Sequence, residues 1–192
     1  RHRLDDDRLQ PFRCGIDRRR QPGRPAADDD DVVALPGGDL LVPLTFGAAG
    51  RKDRSVTTVR CTYDGRAIRI VQAGSELRNS AGRGLLEPSV VRFNTRFFMT
   101  IRAEDNRGYV AASKDGLRWS PQRAWCWEDG EPLDMSTTQQ HWLPHSRRLY
   151  LVYTRKTRGN ARVVRWRAPL FMAAVDPERL CLIRASERIV LP

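Results

Sequence analysis

The sequence predicts an all-β protein, an incomplete β-propeller of about three four-stranded blades. From residue 31 onward, short β-rich runs are broken by Gly, Pro, Asn and Asp, and no apolar stripe keeps the helical period of 3.6 residues. A hairpin pattern also recurs after 58 and then 50 residues. Repeats of this length that consist of strands throughout indicate blades, because one four-stranded sheet cannot bury both of its faces alone.

Three predicted hairpins carry the repeat, and each consists of two apolar runs joined by a polar turn. The turn at residues 36–39, Pro-Gly-Gly-Asp, is the plainest of the three. The paired runs are residues 32–35 with 40–42, 90–93 with 97–99, and 140–143 with 149–151. The predicted blades therefore cover roughly residues 32–86, 87–137 and 138–192.

A second repeat lies in turns that follow predicted strands, such as residues 109–112 and 56–61. Residues 113–119, Ser-Lys-Asp-Gly-Leu-Arg-Trp, match residues 62–68 in the same phase, and an eroded third copy covers 175–180. In such turns the Ser or Thr and Asp side chains accept backbone hydrogen bonds, and Gly adopts a positive φ. We expect Asp64, Asp115 and Asp176 to be structural residues.

Residues 1–31 differ from the rest of the chain. They alternate Arg clusters with Asp runs, contain prolines, and have few large apolar side chains. Such a segment cannot bury enough surface to offset its chain entropy, so we expect irregular or disordered structure there. Three blades leave two exposed sheet edges where a closed ring has none, and we therefore expect the chain to be part of a longer protein.

The formal net charge of +11 raises the possibility of nucleic-acid binding. The cations are almost all arginines, however, and they are scattered through strand-like segments instead of lining one helix. We therefore expect no nucleic-acid partner, although the positive field suits an acidic sugar. No apolar run approaches the roughly 18 residues of a membrane span, so no membrane partner is expected.

The four cysteines, Cys14, Cys61, Cys126 and Cys181, lie far apart and form no C-x-x-C pair. The sequence predicts buried, small apolar residues for them, with one disulfide as the alternative. The three histidines do not cluster, so neither a metal site nor a cofactor is expected.

Two features resemble the sialidase (neuraminidase) superfamily. Residues 113–119 are similar to a shortened form of its Asp box, also called the BNR repeat, S-x-D-x-G-x-x-W. Glu87-Pro88 leads into one strand, and Arg102 ends the next, fifteen residues later, as in the sialidase blade that carries two site residues. The resemblance in blade layout covers roughly residues 32–192.

The resemblance implies a role for Glu87 and for two arginines. Sialidases use a tyrosine nucleophile, and Glu87 matches the catalytic glutamate that takes its proton. Three arginines bind the sugar carboxylate, since a guanidinium makes two parallel hydrogen bonds to it. Arg102 matches one of them, and Arg167, just before a later strand, matches another, although Arg165 competes for that assignment.

Simpler interpretations stay open for each site residue. Glu87 is alternatively a solvated turn residue, and Arg102 a strand-end charge paired with Glu104 or Asp105. Gln140 and His141 are predicted to line a substrate pocket, with a buried core histidine as the alternative for His141. Trp125 and Trp127 are edge-packing residues or, alternatively, a sugar-stacking loop.

The predicted function is that of a fragment of a sialidase-like glycoside hydrolase, which binds a glycan or a sugar carboxylate and pairs with the missing blades of its parent chain. The early acid/base Asp and the late nucleophilic Tyr of the family have no recognisable match. We therefore expect this chain alone to be inactive and only the full-length form to hydrolyse a glycan. The alternative is a non-catalytic BNR-repeat propeller that binds glycans or proteins. For the parent, an extracytoplasmic location is expected.

Overall fold

The structure, a computed structural model, describes residues 32–136 and 138–192. The predicted irregular segment 1–31 lies outside the described residues. Within them the protein is all-β, with three antiparallel sheets in chain order. The predicted fold class is thus confirmed at the level of an all-β protein with three sheets, each containing a path of four adjacent strands.

The first sheet has the strand order β1-β2-β3-β4, and β5 pairs beside β3. Its first hairpin closes at residues 36–39, where Gly37 and Gly38 have φ values of +94° and +92° that other residues rarely adopt. The strands are β1 Val33–Ala34, β2 Leu40–Phe46, β3 Ser55–Tyr63, β4 Ile68–Ala73 and β5 Leu77–Arg78.

The second sheet has the strand order β6-β7-β8-β9. Asn94, in the turn between β6 and β7, has a φ of 55°, a conformation that Asn tolerates better than most residues. Its strands are β6 Leu86–Phe93, β7 Arg96–Arg102, β8 Gly108–Ser113 and β9 Arg123–Ala124.

The third sheet has the order β10-β11-β12-β13, and β14 pairs beside β12. The long connection between β11 and β12 contains two short 3-10 turns, Arg158–Asn160 and Val164–Trp166. A third, Arg184–Ser186, precedes β14. The strands are β10 His141–His145, β11 Arg148–Tyr153, β12 Leu170–Asp176, β13 Cys181–Leu182 and β14 Arg188–Leu191.

The second sheet lies between the other two and is apolar on both faces. Because side chains alternate along a strand, Val90 and its partner Met99 pack into an apolar cluster shared with the first sheet. Their neighbours Val91 and Phe98 pack into a cluster shared with the third sheet. Strand β6 contacts β1, β2 and β3 on the first sheet and β10 on the third. The three sheets therefore form one stack.

The turn at residues 113–119 docks the second sheet on the first. The Asp115 carboxylate accepts hydrogen bonds from the backbone N–H groups of Leu117 at 2.9 Å and Arg118 at 2.7 Å. Gly116 has a φ of +75°. The buried Trp119 indole donates a 2.9 Å hydrogen bond to the Thr58 hydroxyl on β3. This turn is therefore a structural element between two sheets.

The other two copies of this turn make the same backbone contacts. Asp64 accepts hydrogen bonds from the N–H groups two and three residues later, both at 2.8 Å. Asp176 does the same at 3.0 Å. The eroded third copy, which lacks the Asp-Gly pair, thus keeps the hydrogen-bonding pattern of the other two.

Replacing Asp115 with alanine is expected to destabilise the protein by about 1 kcal/mol, since two backbone donors lose their acceptor and the group is partly exposed. The N–H of Arg118 is the main cause that lowers the pKa of Asp115 to about 2. A carboxyl whose pKa is lower in the folded state adds stability above about pH 4 and loses it as the pH falls towards 2. Urea denaturation of both proteins at neutral and acidic pH measures this difference.

The matched control is Asp64→Ala, in an exposed copy of the turn at the end of β3. We expect a smaller loss of stability for this variant, because nothing like Trp119 anchors its turn to another sheet. Equal losses in the two variants, or an Asp115→Ala effect that persists at low pH, would contradict the structural role given to Asp115.

The three cysteines among the described residues are free thiols. Cys61 and Cys181 are buried, as expected of small apolar residues, and burial raises the pKa of both thiols. Cys126 is half-buried. Cys14 lies outside the described residues. Within the part of the chain that the structure describes, the disulfide alternative is therefore wrong.

Candidate functional site

A β-bulge at the start of β6 turns Glu87 out of the sheet. Leu86 pairs with Arg102, but the next pair is Ser89 with Thr100, so β6 contains one extra residue here. Glu87 has a φ of 47°, in the left-handed region that non-glycine residues seldom occupy. Its N–H donates a 2.9 Å hydrogen bond to the hydroxyl of Thr45 on β2. A contact from the first sheet thus holds a strained backbone, and such strain is concentrated at functional sites.

The bulge brings the Glu87 carboxylate onto Arg102. Arg102 Nη1 and Glu87 Oε1 are 2.5 Å apart, and the Arg102 side chain is only 12% exposed. The alternative partners for Arg102 are wrong. Glu104 pairs with Arg83 instead, and Asp105 accepts hydrogen bonds from Asn79 and Tyr109.

Arg102 keeps donor capacity beyond this ion pair. Its Nε is buried and has no hydrogen-bond partner among the described residues. A buried donor of this kind is rare in folded proteins. Arg102 also lines a cavity, so the guanidinium is placed to meet a molecule that enters it.

The cavity at Arg102 has a volume of about 440 Å³ and lies between the second and third sheets. Four of the five predicted site residues line it, namely Glu87, Arg102, His141 and Arg167. The remaining lining residues are Thr138, Gln139, Thr154 and Leu170. The stacking of two sheets thus brings together residues up to 83 positions apart in the sequence, from Glu87 to Leu170.

Arg167 reaches the cavity from the connection that precedes β12. It is exposed and follows the short 3-10 turn Val164–Trp166. Its competitor, Arg165, is not among the lining residues, and the Arg165 carbonyl accepts a hydrogen bond from the Ser136 hydroxyl. Of the two arginines, Arg167 is therefore the one that lines the cavity.

Gln140 lies deeper than the other predicted site residues. It is 2% exposed, and its Oε1 accepts a 2.5 Å hydrogen bond from the Thr100 hydroxyl. Its Nε2 has no partner among the described residues. A Cβ at residue 108 would clash with this amide, which accounts for Gly108 on the facing strand.

A second cavity of about 300 Å³ lies beside the first, and Gln140 lines it. Glu87, Gln139 and His141 line both cavities and therefore form the boundary between them. His141 is half-buried at this boundary. The second cavity also has apolar lining residues from β2 and β6, among them Val42, Leu44 and Pro88.

Thr45, Thr138 and Thr154 belong to this region and were not predicted from the sequence. The hydroxyls of Thr138 and Thr154 are hydrogen-bonded to each other beside the larger cavity. Thr154 follows the last residue of β11 directly, so its place at a strand end is the signal that would have found it. Thr45 has no such signal, because its contact with Glu87 comes from another sheet.

No tyrosine lines either cavity. Tyr153, next to Thr154 in the sequence, is fully buried and donates a 2.6 Å hydrogen bond to Glu187. Burial is the main cause that raises the pKa of Tyr153, so this phenol stays protonated. It is a packing residue of the third sheet and is unsuited to act as a nucleophile.

The tryptophans at 125 and 127 pack in the core. Trp125 is fully buried and donates a 3.1 Å hydrogen bond to the Thr100 hydroxyl. Trp127 is 5% exposed, and the guanidinium of Arg184 lies 4.7 Å from its ring centroid. The packing alternative is therefore correct for both, and the sugar-stacking alternative is wrong.

No protein-family model matches the chain, and a search of curated proteins finds no match. Among residues 32–136 and 138–192, no helix has the length and apolar character to cross a membrane. The same residues contain no group of three or more His, Cys, Asp or Glu side chains that could hold a metal ion. The stacked sheets and the cavity at Arg102 are thus the evidence for function.

Proposed function

We propose that this chain forms three blades of a sialidase-like β-propeller and that the cavity at Arg102 binds the carboxylate of an acidic glycan. The stack of three antiparallel sheets with the same strand order supports the propeller. The turn with a hydrogen-bonded Asp at residues 62–68, 113–119 and 175–180, here called the Asp turn, has the same backbone contacts in each sheet. This recurrence supports the resemblance to Asp-box proteins.

The observation that carries the binding proposal is the buried Arg102 with its unpartnered Nε beside a cavity. A carboxylate that enters the cavity would accept hydrogen bonds from this guanidinium, and Arg167 adds a second positive charge from the opposite wall. The neighbouring polar groups, those of Thr138, Gln139 and Thr154, suit sugar hydroxyls.

Glu87 is the candidate base of this site, but the chain supplies no nucleophile for it. Neither cavity has a tyrosine in its wall, and Glu87 is the only carboxylate that lines either of them. Hydrolysis by the proposed mechanism needs an acid/base Asp and a Tyr, which other blades of a longer parent would contribute. For this chain alone, the proposal is therefore binding without turnover.

The exposed apolar surface supports further blades as partners. None of the large apolar side chains that the structure leaves exposed belongs to the middle sheet, which has a neighbour on each face. The first and third sheets, in contrast, expose such residues, among them Ile68, Ile70, Leu143 and Leu191. Exposed apolar patches of this kind mark surfaces that pack against another element.

Isothermal titration calorimetry of the chain with N-acetylneuraminic acid and with its methyl ester tests the proposal. We expect the free acid to bind at least about tenfold more tightly than the ester, since esterification removes the charged acceptor. A fluorogenic sialoside should show no turnover. Equal affinities for acid and ester, or no binding of the acid at millimolar concentration, would refute carboxylate recognition, while hydrolysis by the chain would refute binding without turnover.

A further inference from the structure

Another cavity lies away from the proposed glycan site. It has a volume of about 850 Å³ and shares no lining residue with the cavity at Arg102. Its wall includes Ser113, which pairs with Phe97, whereas Arg102 pairs with Gly108. The two cavities therefore lie at opposite ends of the second sheet. We call this second region the rim groove.

The rim groove has an excess of positive charge. Four cationic and two acidic side chains line it. Both carboxylates have cationic partners within the groove, since Asp115 pairs with Arg118 at 2.8 Å and Glu178 pairs with Arg96 at 2.9 Å. Asp115 is also the acceptor of the Asp turn, so it cannot swing away to another cation without breaking that turn.

The other two cations, Lys114 and Arg123, make no ion pair with any residue in the described part of the chain. Both are exposed. Lys114 directly follows β8, and Arg123 is the first residue of β9, so the two residues lie on either side of the Asp turn of the second sheet. The groove thus presents two exposed positive charges that no carboxylate of the described residues neutralises, which favours binding of an anionic ligand.

The rest of the wall indicates which kind of anion fits. Pro121 is exposed in the wall and provides apolar surface, on which the C–H face of a sugar ring can pack, while Ala112 and Leu180 are buried beneath it. No aromatic side chain lines the groove. The bases of single-stranded nucleic acids are usually held by stacking on aromatic side chains, and the groove offers none. A polymer of acidic sugars fits this wall better than a nucleic acid does.

We propose that the rim groove is a second binding site, which takes a sulfated or uronic acid-containing oligosaccharide, with its anionic groups on Lys114 and Arg123. This site is independent of the proposed function, because no residue of the cavity at Arg102 takes part. The electrostatic character of the interaction makes its affinity fall with rising salt.

The test measures binding of a heparin-derived oligosaccharide to the chain and to the double variant Lys114→Glu/Arg123→Glu. We expect the affinity to fall at least about tenfold, because two attractive charges become repulsive. The control is Lys52→Glu/Arg147→Glu, which changes the net charge equally at two exposed positions outside the groove. It should stay within about twofold of the unmodified chain. Circular dichroism checks that both variants are folded.

Three outcomes would overturn the proposal. An equal loss in the groove variant and the control would mean that only the overall field of the protein attracts the ligand. Equal binding of a neutral oligosaccharide that carries neither sulfate nor carboxylate groups would exclude recognition of anionic groups. A duplex DNA oligonucleotide that binds more tightly than the sugar, with the same dependence on Lys114 and Arg123, would make the groove a nucleic-acid site instead.

Discussion

Replacement of Arg102 with alanine is expected to lower the affinity for a carboxylate ligand by at least about 30-fold, which corresponds to about 2 kcal/mol. The reason is the position of the guanidinium. It is largely buried, it lines the cavity of about 440 Å³ between the second and third sheets, and its Nε has no hydrogen-bond partner among the described residues. The variant also leaves Glu87 without its cationic partner, so a negative charge then faces the incoming carboxylate. Calorimetric titration with N-acetylneuraminic acid measures the effect.

Two further variants separate charge from geometry. Arg102→Lys keeps the positive charge but cannot make two parallel hydrogen bonds, so we expect it to recover only part of the affinity. Arg167→Ala removes an exposed side chain from the same cavity and should weaken binding without changing stability. If Arg102→Ala is folded and binds the carboxylate ligand with unchanged affinity, the assignment of a carboxylate site to this cavity is wrong.

Replacement of Trp142 with alanine is expected to destabilise the fold by about 3–5 kcal/mol. Trp142 is 2% exposed, and its indole N–H donates a 3.0 Å hydrogen bond to the Ser89 carbonyl on the neighbouring sheet. Its ring meets those of Trp125 and Phe98 edge to face, with centroids 5.8 and 6.2 Å apart. One side chain thus joins the second and third sheets, and urea denaturation measures its contribution.

The control for this prediction is Trp166→Ala. Trp166 is half-buried, and the Lys156 ammonium lies 4.3 Å from its ring centroid. We expect a loss of about 1 kcal/mol or less, because exposed cation–π contacts contribute little. If Trp142→Ala costs no more than Trp166→Ala, the two sheets are not joined through Trp142.

The local features of this protein were accessible from its sequence. The three hairpins and the three Asp turns depend on hydrogen bonds between residues that are close along the chain. Gly or Asn takes the positive φ in the first two copies of each, whereas Ser146 and Leu180 take it in the third. The number of sheets could be predicted because the hairpin and the turn each occur three times in the sequence. The meeting of Glu87 and Arg102 was also predictable, since both stand at the same end of two strands joined by one tight turn.

The site around this pair was only partly predictable. Thr45 reaches Glu87 from another sheet, and Thr154 reaches the cavity from the third sheet. Gln140 was expected in the pocket, but it is held in the core by Thr100 and lines the smaller cavity instead. These placements depend on how sheets pack on each other, which no pattern within a single hairpin contains.

The sequence by itself determined that the protein is all-β, where its hairpins close, and which carboxylate and guanidinium stand at one strand end. Only the tertiary structure decided that a bulge points Glu87 at Arg102, that Arg167 and not Arg165 lines the cavity, and that Lys114 and Arg123 share a groove. The physical reason is the range of the interactions. Strand alternation and turn geometry act over a few residues, whereas a cavity forms where separate sheets meet.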